Sequence, residues 1–223
     1  MSNNIGKEID LLKNYPKSKR EVEKRGRIKT KNQQEIARKF GKDFFDGDRD
    51  NGYGGYYYNE KFWSKVIPDF IEFYSLKDGD KILDVGCGKG FMLYDFKRAN
   101  PNFKLEGVDV SDYAISNAKE EVKNNVKTGN AKKLDYNDNS FDLVISITTV
   151  HNLDLEDCKL AIKEIERVSK KNKFITVDAY SNEKEKELMY SWNLTAKTIL
   201  HTDEWKKLFK ETNYTGDYYW FKP

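Results

Sequence analysis

One acid and three glycines lie close together where their spacing permits chemistry. Residues 81–93 read KILDVGCGKGFML, with Asp84 followed at two-residue intervals by Gly86, Gly88 and Gly90. Glycines tolerate φ > 0 and leave backbone N–H groups uncovered, so a ligand can lie directly against such a turn. Asp109, in LEGVDVS, follows nineteen residues after Gly90. At the end of a strand its carboxylate can accept hydrogens from both hydroxyls of a ribose. The alternative for Asp109 is a helix N-cap, a post that Ser111 or Asp112 would fill better. His151, in TTVHNLD, is the leading candidate general base, since an imidazole near its ordinary pKa of about 6.5 can take a proton at neutral pH. An orienting or structural role for it is the competing reading. Cys87 reads as a small filler within the turn, and two cysteines with two histidines in the chain indicate neither a disulfide framework nor a metal site.

The elements that must hold these residues follow from hydrophobic periodicity. A helix is expected over Lys61 to Tyr74, with Pro68 making its first turns doubtful. Strands are expected at Lys81 to Val85, Lys104 to Val108 and Asn125 to Thr128, separated by helices at Phe91 to Lys97 and Asp112 to Val122. Ser140 to Val150 is apolar enough to be a strand buried on both faces. Cys158, Ala161, Ile162, Ile165 and Val168 recur at helical spacing, Phe174 to Val177 reads as a fifth strand, and Asp203 to Thr212 as a last helix. Strand and helix alternate throughout, which calls for an α/β fold with a doubly wound, mostly parallel sheet. In such a sheet ligands bind beyond the carboxyl ends of the strands, where Asp84, Asp109 and His151 all fall.

At 223 residues and 38% apolar content the chain suits one domain with a short appendage. Its apolar runs fall short of a bilayer span and no secretory leader is evident, so a cytoplasmic location is the expectation. The net charge of +3 hides an asymmetry, because residues 1–43 hold thirteen Lys or Arg against six acids. A solvated arm and a clamp for an anionic substrate both fit that charge, carried notably by Lys17, Lys19, Arg20, Lys24, Arg25 and Arg27. We divide the chain into a basic helical arm with an aromatic lid, residues 1–60, and a ligand-binding domain, residues 61–223.

The form of the turn resembles one family. LDVGCGKG looks like the first motif of the class I, Rossmann-like, S-adenosylmethionine-dependent methyltransferases, Asp109 matches that family's ribose-binding acid, and TGNAKKLDYNDNSFDLVIS resembles its later motifs. The resemblance covers roughly residues 62–209. It implies S-adenosylmethionine as cofactor, no metal, and cofactor contacts from Asp84, Gly86, Cys87, Gly88, Gly90, Asp109, Val110, Asn130 and Ala131. It also implies a seven-stranded sheet ending in a hairpin. After residue 212 only NYTGDYYWFKP remains, enough for one strand, so six strands or an unconventional ending is expected.

Two aromatic stretches complete the expected site. Tyr53, Tyr56, Tyr57 and Tyr58 crowd a glycine-rich segment that reads either as a lid closing over the cofactor or as a packed cap. From the lid we assign Tyr56 to the cofactor and Arg49, Tyr53 and Tyr58 to the acceptor. Asn152, Tyr180, Trp192 and Asn193 join them from the far side, after the fourth and fifth strands. The expected activity is methyl transfer to an O or N atom of a small, anionic metabolite. Loose compositional similarity to methyltransferases of bacterial surface-polysaccharide (capsule) assembly suggests a nucleotide-linked sugar or phosphoramidate. The alternative is a cofactor-binding protein whose basic arm docks RNA or a protein. Direct nucleic-acid modification and membrane binding are not expected, and a homodimer is left open.

Overall fold

The structure is a computed structural model that describes residues 5–16, 26 and 29–222. The basic positions Lys17, Lys19, Arg20, Lys24, Arg25 and Arg27 lie outside the described residues. Short helices α1 (Lys31–Ala37) and α2 (Lys42–Phe45) precede α3 (Ile67–Tyr74). There follow β1 (Lys81–Val85), α4 (Phe91–Ala99), β2 (Lys104–Asp109), α5 (Asp112–Ser116), a 3-10 turn at Glu120–Asn125, β3 (Val126–Thr128) and β4 (Phe141–Ile147). A second 3-10 turn, Val150–Asn152, leads into α6 (Leu155–Val168), β5 (Ser169–Tyr180), α7 (Glu183–Trp192), β6 (Leu200–His201), α8 (Thr202–Glu211) and β7 (Asp217–Phe221).

Seven strands form one sheet, ordered β3-β2-β1-β4-β5, and every pairing is parallel. The outer edge of β5 is shared: β7 pairs with Phe174 to Asp178 and β6 with Ala179 and Tyr180. The hairpin ending that the family resemblance implied is therefore absent from the described sheet. Helix α8 returns the chain to the starting end of the sheet, so β7 enters parallel to β5. Alternate residues of the strands feed two apolar layers, since successive side chains point to opposite faces. Leu83, Val85, Val144 and Ile175 pack with Ile162 of α6 and Phe209 of α8, while Ile82, Leu143, Ile145 and Phe174 pack with Phe70 of α3 and Phe96 of α4.

Several boundaries differ from the sequence expectation. Helix α3 begins at Ile67, because Pro68 belongs in a first turn, where its missing N–H is not needed. The helix expected over Asp112 to Val122 stops at Ser116: the Asn117 side chain bonds back to Tyr113 O, and the Lys119 amide is drawn to Lys89 O. Strand β5 is twelve residues long where the sequence suggests Phe174 to Val177, and α7 follows it. The last helix, α8, begins at Thr202, and His201 is its N-cap, with Glu204 completing a capping box. Residues 5–16 are not detached: Ile9 and Lys7 exchange backbone bonds with Tyr218 of β7, and Leu11 is buried in the same apolar layer as Ile82. Among the described residues no helix is long and apolar enough to cross a membrane.

Candidate active site

The chain runs outward from β1 to β3 and then resumes on the other side of β1 with β4. That reversal opens a crevice past the carboxyl ends of β1 and β4, the place where doubly wound sheets bind ligands. A cleft of about 1720 Å³ occupies it, larger than the roughly 300–1000 Å³ that a single small ligand needs.

Gly86, Gly88 and Gly90 all have positive φ, at 89°, 54° and 74°. At Gly86 the requirement is also steric, because a Cβ would run into the Thr149 side chain from the β4 loop. Asp109 joins the turn to the end of β2: its Oδ2 accepts the Gly88 N–H at 2.7 Å and its Oδ1 the Ser111 N–H at 2.9 Å. Ser111 is the N-cap of α5, accepting from Ala114 N, so Asp109 does not fill that post. Burial raises the Asp109 carboxyl above its ordinary range, partly offset by these amide bonds. Burial, reinforced by Asp109, pushes Asp84 up to about 7, and among the described residues nothing hydrogen-bonds to its carboxylate. Asp84, Cys87 and Gly90 shape the turn from behind, while Gly86, Gly88, Asp109, Val110, Asn130 and Ala131 line the cleft. Val110 is 56% exposed there, an apolar side chain presented to the cleft.

A flap made of residues 40–58 covers the turn. Lys89, an unnamed position of the glycine motif, reaches into the flap: its Nζ bonds to Asp46 Oδ2 at 2.6 Å and to Tyr56 O at 2.9 Å. Asp46 also accepts from Tyr113 Oη at 2.7 Å and Tyr56 N at 2.9 Å. Burial alone would raise the Asp46 carboxyl, but the bonds from Lys89, Tyr113 and Tyr56 bring it below the usual range. Ser111 Oγ donates to Phe40 O, and the Tyr56 ring stacks on Phe91 at 4.9 Å and meets Tyr53 at 4.4 Å. Tyr53, Tyr56 and Arg49 thus line the cleft. Tyr58 does not: its hydroxyl donates to Asp95 and accepts from Arg98 on the outer side of α4, which removes it from the expected acceptor set. The Lys89–Asp46 clamp was missed in the sequence because a lone lysine inside a glycine motif carries no periodic signal.

The far wall carries His151. Thr148 adopts φ 48°, rare for a β-branched residue, with its N–H on Thr176, and the chain then turns His151 inward. His151 is 2% exposed, and its Nδ1 accepts the Asp178 N–H at 2.9 Å. Burial lowers its pKa, against a raising influence from the Asp178 carboxylate, whose Oδ2 lies 3.6 Å from Nε2. Asn193 closes the group by donating Nδ2 to Asp178 Oδ2, while its Oδ1 accepts the Thr195 and Ala196 amides at 3.0 and 2.7 Å. Asn152 and Trp192 line the same cleft. Tyr180 is the second departure from the expected acceptor set. Pairing of Tyr180 with His201 in β6 leaves its ring packed with Met189 and outside the cleft lining.

With these residues in place, the fit of a nucleoside sulfonium is favourable: a turn of glycines with no side chain in the way, a carboxylate at the end of β2, an exposed apolar surface at Val110, and room beyond. Comparison with known proteins agrees. Residues 76–215 match the family model described as a methyltransferase domain. A tRNA (carboxymethyluridine(34)-5-O)-methyltransferase of Arabidopsis thaliana is 34% identical over 146 residues, covering 64% of this chain and 33% of that protein. A demethylmenaquinone methyltransferase of Symbiobacterium thermophilum is 31% identical over 126 residues, covering 52% and 49%. The chain spans between 33% and 58% of the length of the first curated relatives that it matches. In fold it is similar to the YcgJ protein of Bacillus subtilis, with TM-score 0.54, 20% identity and coverage of 64% and 65%. It is similar also to an S-adenosylmethionine-dependent methyltransferase of Methanosarcina mazei, with TM-score 0.51, 22% identity and coverage of 64% and 82%. The chain belongs to the methyltransferase domain family, for which S-adenosylmethionine is the cofactor.

Proposed function

We propose that the protein transfers a methyl group from S-adenosylmethionine to an N or O atom of a small acceptor. The observation that carries this reading is the left-handed glycine turn tied to Asp109 at the sheet's reversal point. When bound, the cofactor supplies a methyl group already activated on a sulfonium. The chain's residues therefore need to bind, align and exclude water. In this reading the Gly86 and Gly88 backbone faces the methionyl part, Asp109 holds the ribose, and Val110, Asn130 and Ala131 face the adenine. The flap residues Tyr53 and Tyr56 cover the reacting centre, and Arg49, Asn152, Trp192 and Asn193 line the acceptor compartment.

His151 fits orientation better than proton abstraction. An Nδ1 that accepts an amide hydrogen places the imidazole's own hydrogen on Nε2, which makes that edge a donor. An anionic acceptor such as a nucleotide-linked sugar for surface glycan draws support from cations at the cleft, among them Arg38 and Lys39. A nucleic-acid acceptor draws its support from the Arabidopsis relative.

Calorimetric titration with S-adenosylmethionine tests the reading. Asp109→Ala is expected to weaken binding by roughly 1.5–3 kcal/mol, the range for a hydrogen bond to a charged group. Unchanged affinity in the folded variant, or tighter binding of NAD by the wild type, would overturn the assignment.

A further inference from the structure

The acceptor end of the cleft has a sign, set by three observations. First, Asp178 is 4% exposed, and His151 is the only basic group within ion-pair distance among the described residues. His151 is held neutral by geometry, because a protonated ring would need to donate from both nitrogens and Nδ1 faces the Asp178 N–H. Asn193 is neutral as well, so no described side chain offers the Asp178 carboxylate a cation. A buried charge in that state is costly unless something arrives to pair it.

Second, two oxygens at this end take no hydrogen bond from any described residue. Asp178 Oδ2 is held by Asn193, whereas no described residue donates to its Oδ1. Asn152 is fixed by its Nδ2 on Thr148 O, which leaves its Oδ1 buried with no partner. Both atoms only accept. A ligand that satisfies them must bring N–H donors, and a phosphate or carboxylate brings none.

Third, aromatic side chains share the cleft face with Asp178. In the β5–β7 register Asp178 is opposite Phe221 and Thr176 opposite Tyr219, so these four side chains share the cleft face. The Trp192 ring is 6.5 Å from Phe221. Among the described residues no lysine of this end forms an ion pair with Asp178: Lys222 donates to Ser181 Oγ and Lys197 pairs with Asp154. A carboxylate bordered by aromatic rings and lacking a cation suits an ammonium group on a flat apolar body.

Resting on the methyltransferase reading above, we infer that the acceptor atom is an amine nitrogen and that Asp178 is the residue that takes its proton. An ammonium entering the cleft gives its proton to Asp178 Oδ1. The lone pair this frees forms the new N–C bond as the C–S bond of the methylsulfonium donor breaks, its electrons remaining on sulfur. His151 and Asn193 are positioning residues that hold Oδ2 and leave Oδ1 toward the cleft. Any anionic part of the acceptor stays at the mouth, beside Arg38 and Lys39.

The test uses the full chain loaded with S-adenosylhomocysteine, with benzylamine, benzyl alcohol and benzoate as probes in ligand-observed NMR titrations. Benzylamine is expected to bind about tenfold or more tightly than either of the others, as an ion pair and a cation–π contact together provide. Asp178→Asn is expected to bring the three within about threefold. Equal binding of the three to the wild type, or an amine preference that survives Asp178→Asn, overturns the inference. If that variant fails to fold, the wild type suffices: ¹⁵N-histidine spectra at pH 7 should place the His151 hydrogen on Nε2 alone, and a doubly protonated ring would overturn the inference. Loss of S-adenosylhomocysteine binding itself would instead strike the methyltransferase reading.

Discussion

Replacing Gly86 by alanine separates two demands that the turn makes on one residue. Gly86 has φ 89° and Gly79, in the turn before β1, has φ 84°, so the backbone penalty for a Cβ is nearly the same at both. For an L-residue in the left-handed region that penalty is about 1–2 kcal/mol. The surroundings differ. A Cβ at Gly79 meets nothing within 4 Å, whereas at Gly86 it falls 2.7 Å from Thr149 Cβ and nearer still to Oγ1 and Cγ2. Rotating the threonine does not clear its own Cβ, and its Oγ1 is held by a bond to Ile147 O. Forced overpacking of this kind adds about 1–3 kcal/mol. In urea unfolding, Gly79→Ala should therefore lose about 1–2 kcal/mol and Gly86→Ala about 2–5 kcal/mol. S-adenosylmethionine affinity should fall about tenfold or more for Gly86→Ala, since moving Thr149 or the turn displaces the amides, and stay unchanged for Gly79→Ala. Thr149→Gly should rescue much of the Gly86→Ala defect. A Gly86→Ala variant as stable as Gly79→Ala, with full affinity, would refute the steric reasoning.

The flap and the buried acid give two more tests. Lys89→Met removes the only cation paired with Asp46 among the described residues, and breaking a buried pair by deleting one partner costs about 3–5 kcal/mol. Asp46 keeps its bonds from Tyr113 and Tyr56, so the lower end applies, and limited proteolysis should cut residues 40–58 faster while the sheet melts as before; unchanged cutting would mean the flap is held by its aromatic contacts alone. Asp84, pushed up to about 7, holds its proton more tightly folded than unfolded, so its contribution to stability is fully present below about pH 4 and is lost as pH rises to about 7. Asp84→Asn should remove that slope in pH-dependent urea unfolding, by at most about 4 kcal/mol from a shift near three pKa units. A slope that persists in the variant would assign it to other groups.

Local sequence determined the strands and their glycine turn, because a buried parallel strand such as FDLVISI and a D-x-G-x-G-x-G run are self-contained signals. It also indicated that Asp109 and Asn130 lie at the carboxyl end of the sheet, since they sit at fixed distances along the chain from strands that pair in order. Element ends were less legible where a distant contact decides them: Lys119 bonding to Lys89 ends one helix, and β6 covers Tyr180.

Only the tertiary structure decided what each polar side chain faces. Lys89 reads as one more charge in the sequence, yet it is buried and joins flap to turn through Asp46, 43 positions away. His151 reads as a base until the Asp178 N–H, from a neighbouring strand, is seen at its Nδ1. Periodicity reports which side of an element is apolar, and a hydrogen bond between residues on different strands leaves no periodic trace. The sequence therefore shows where the glycine turn lies, and the sheet's packing decides which polar atoms of the cleft donate and which accept.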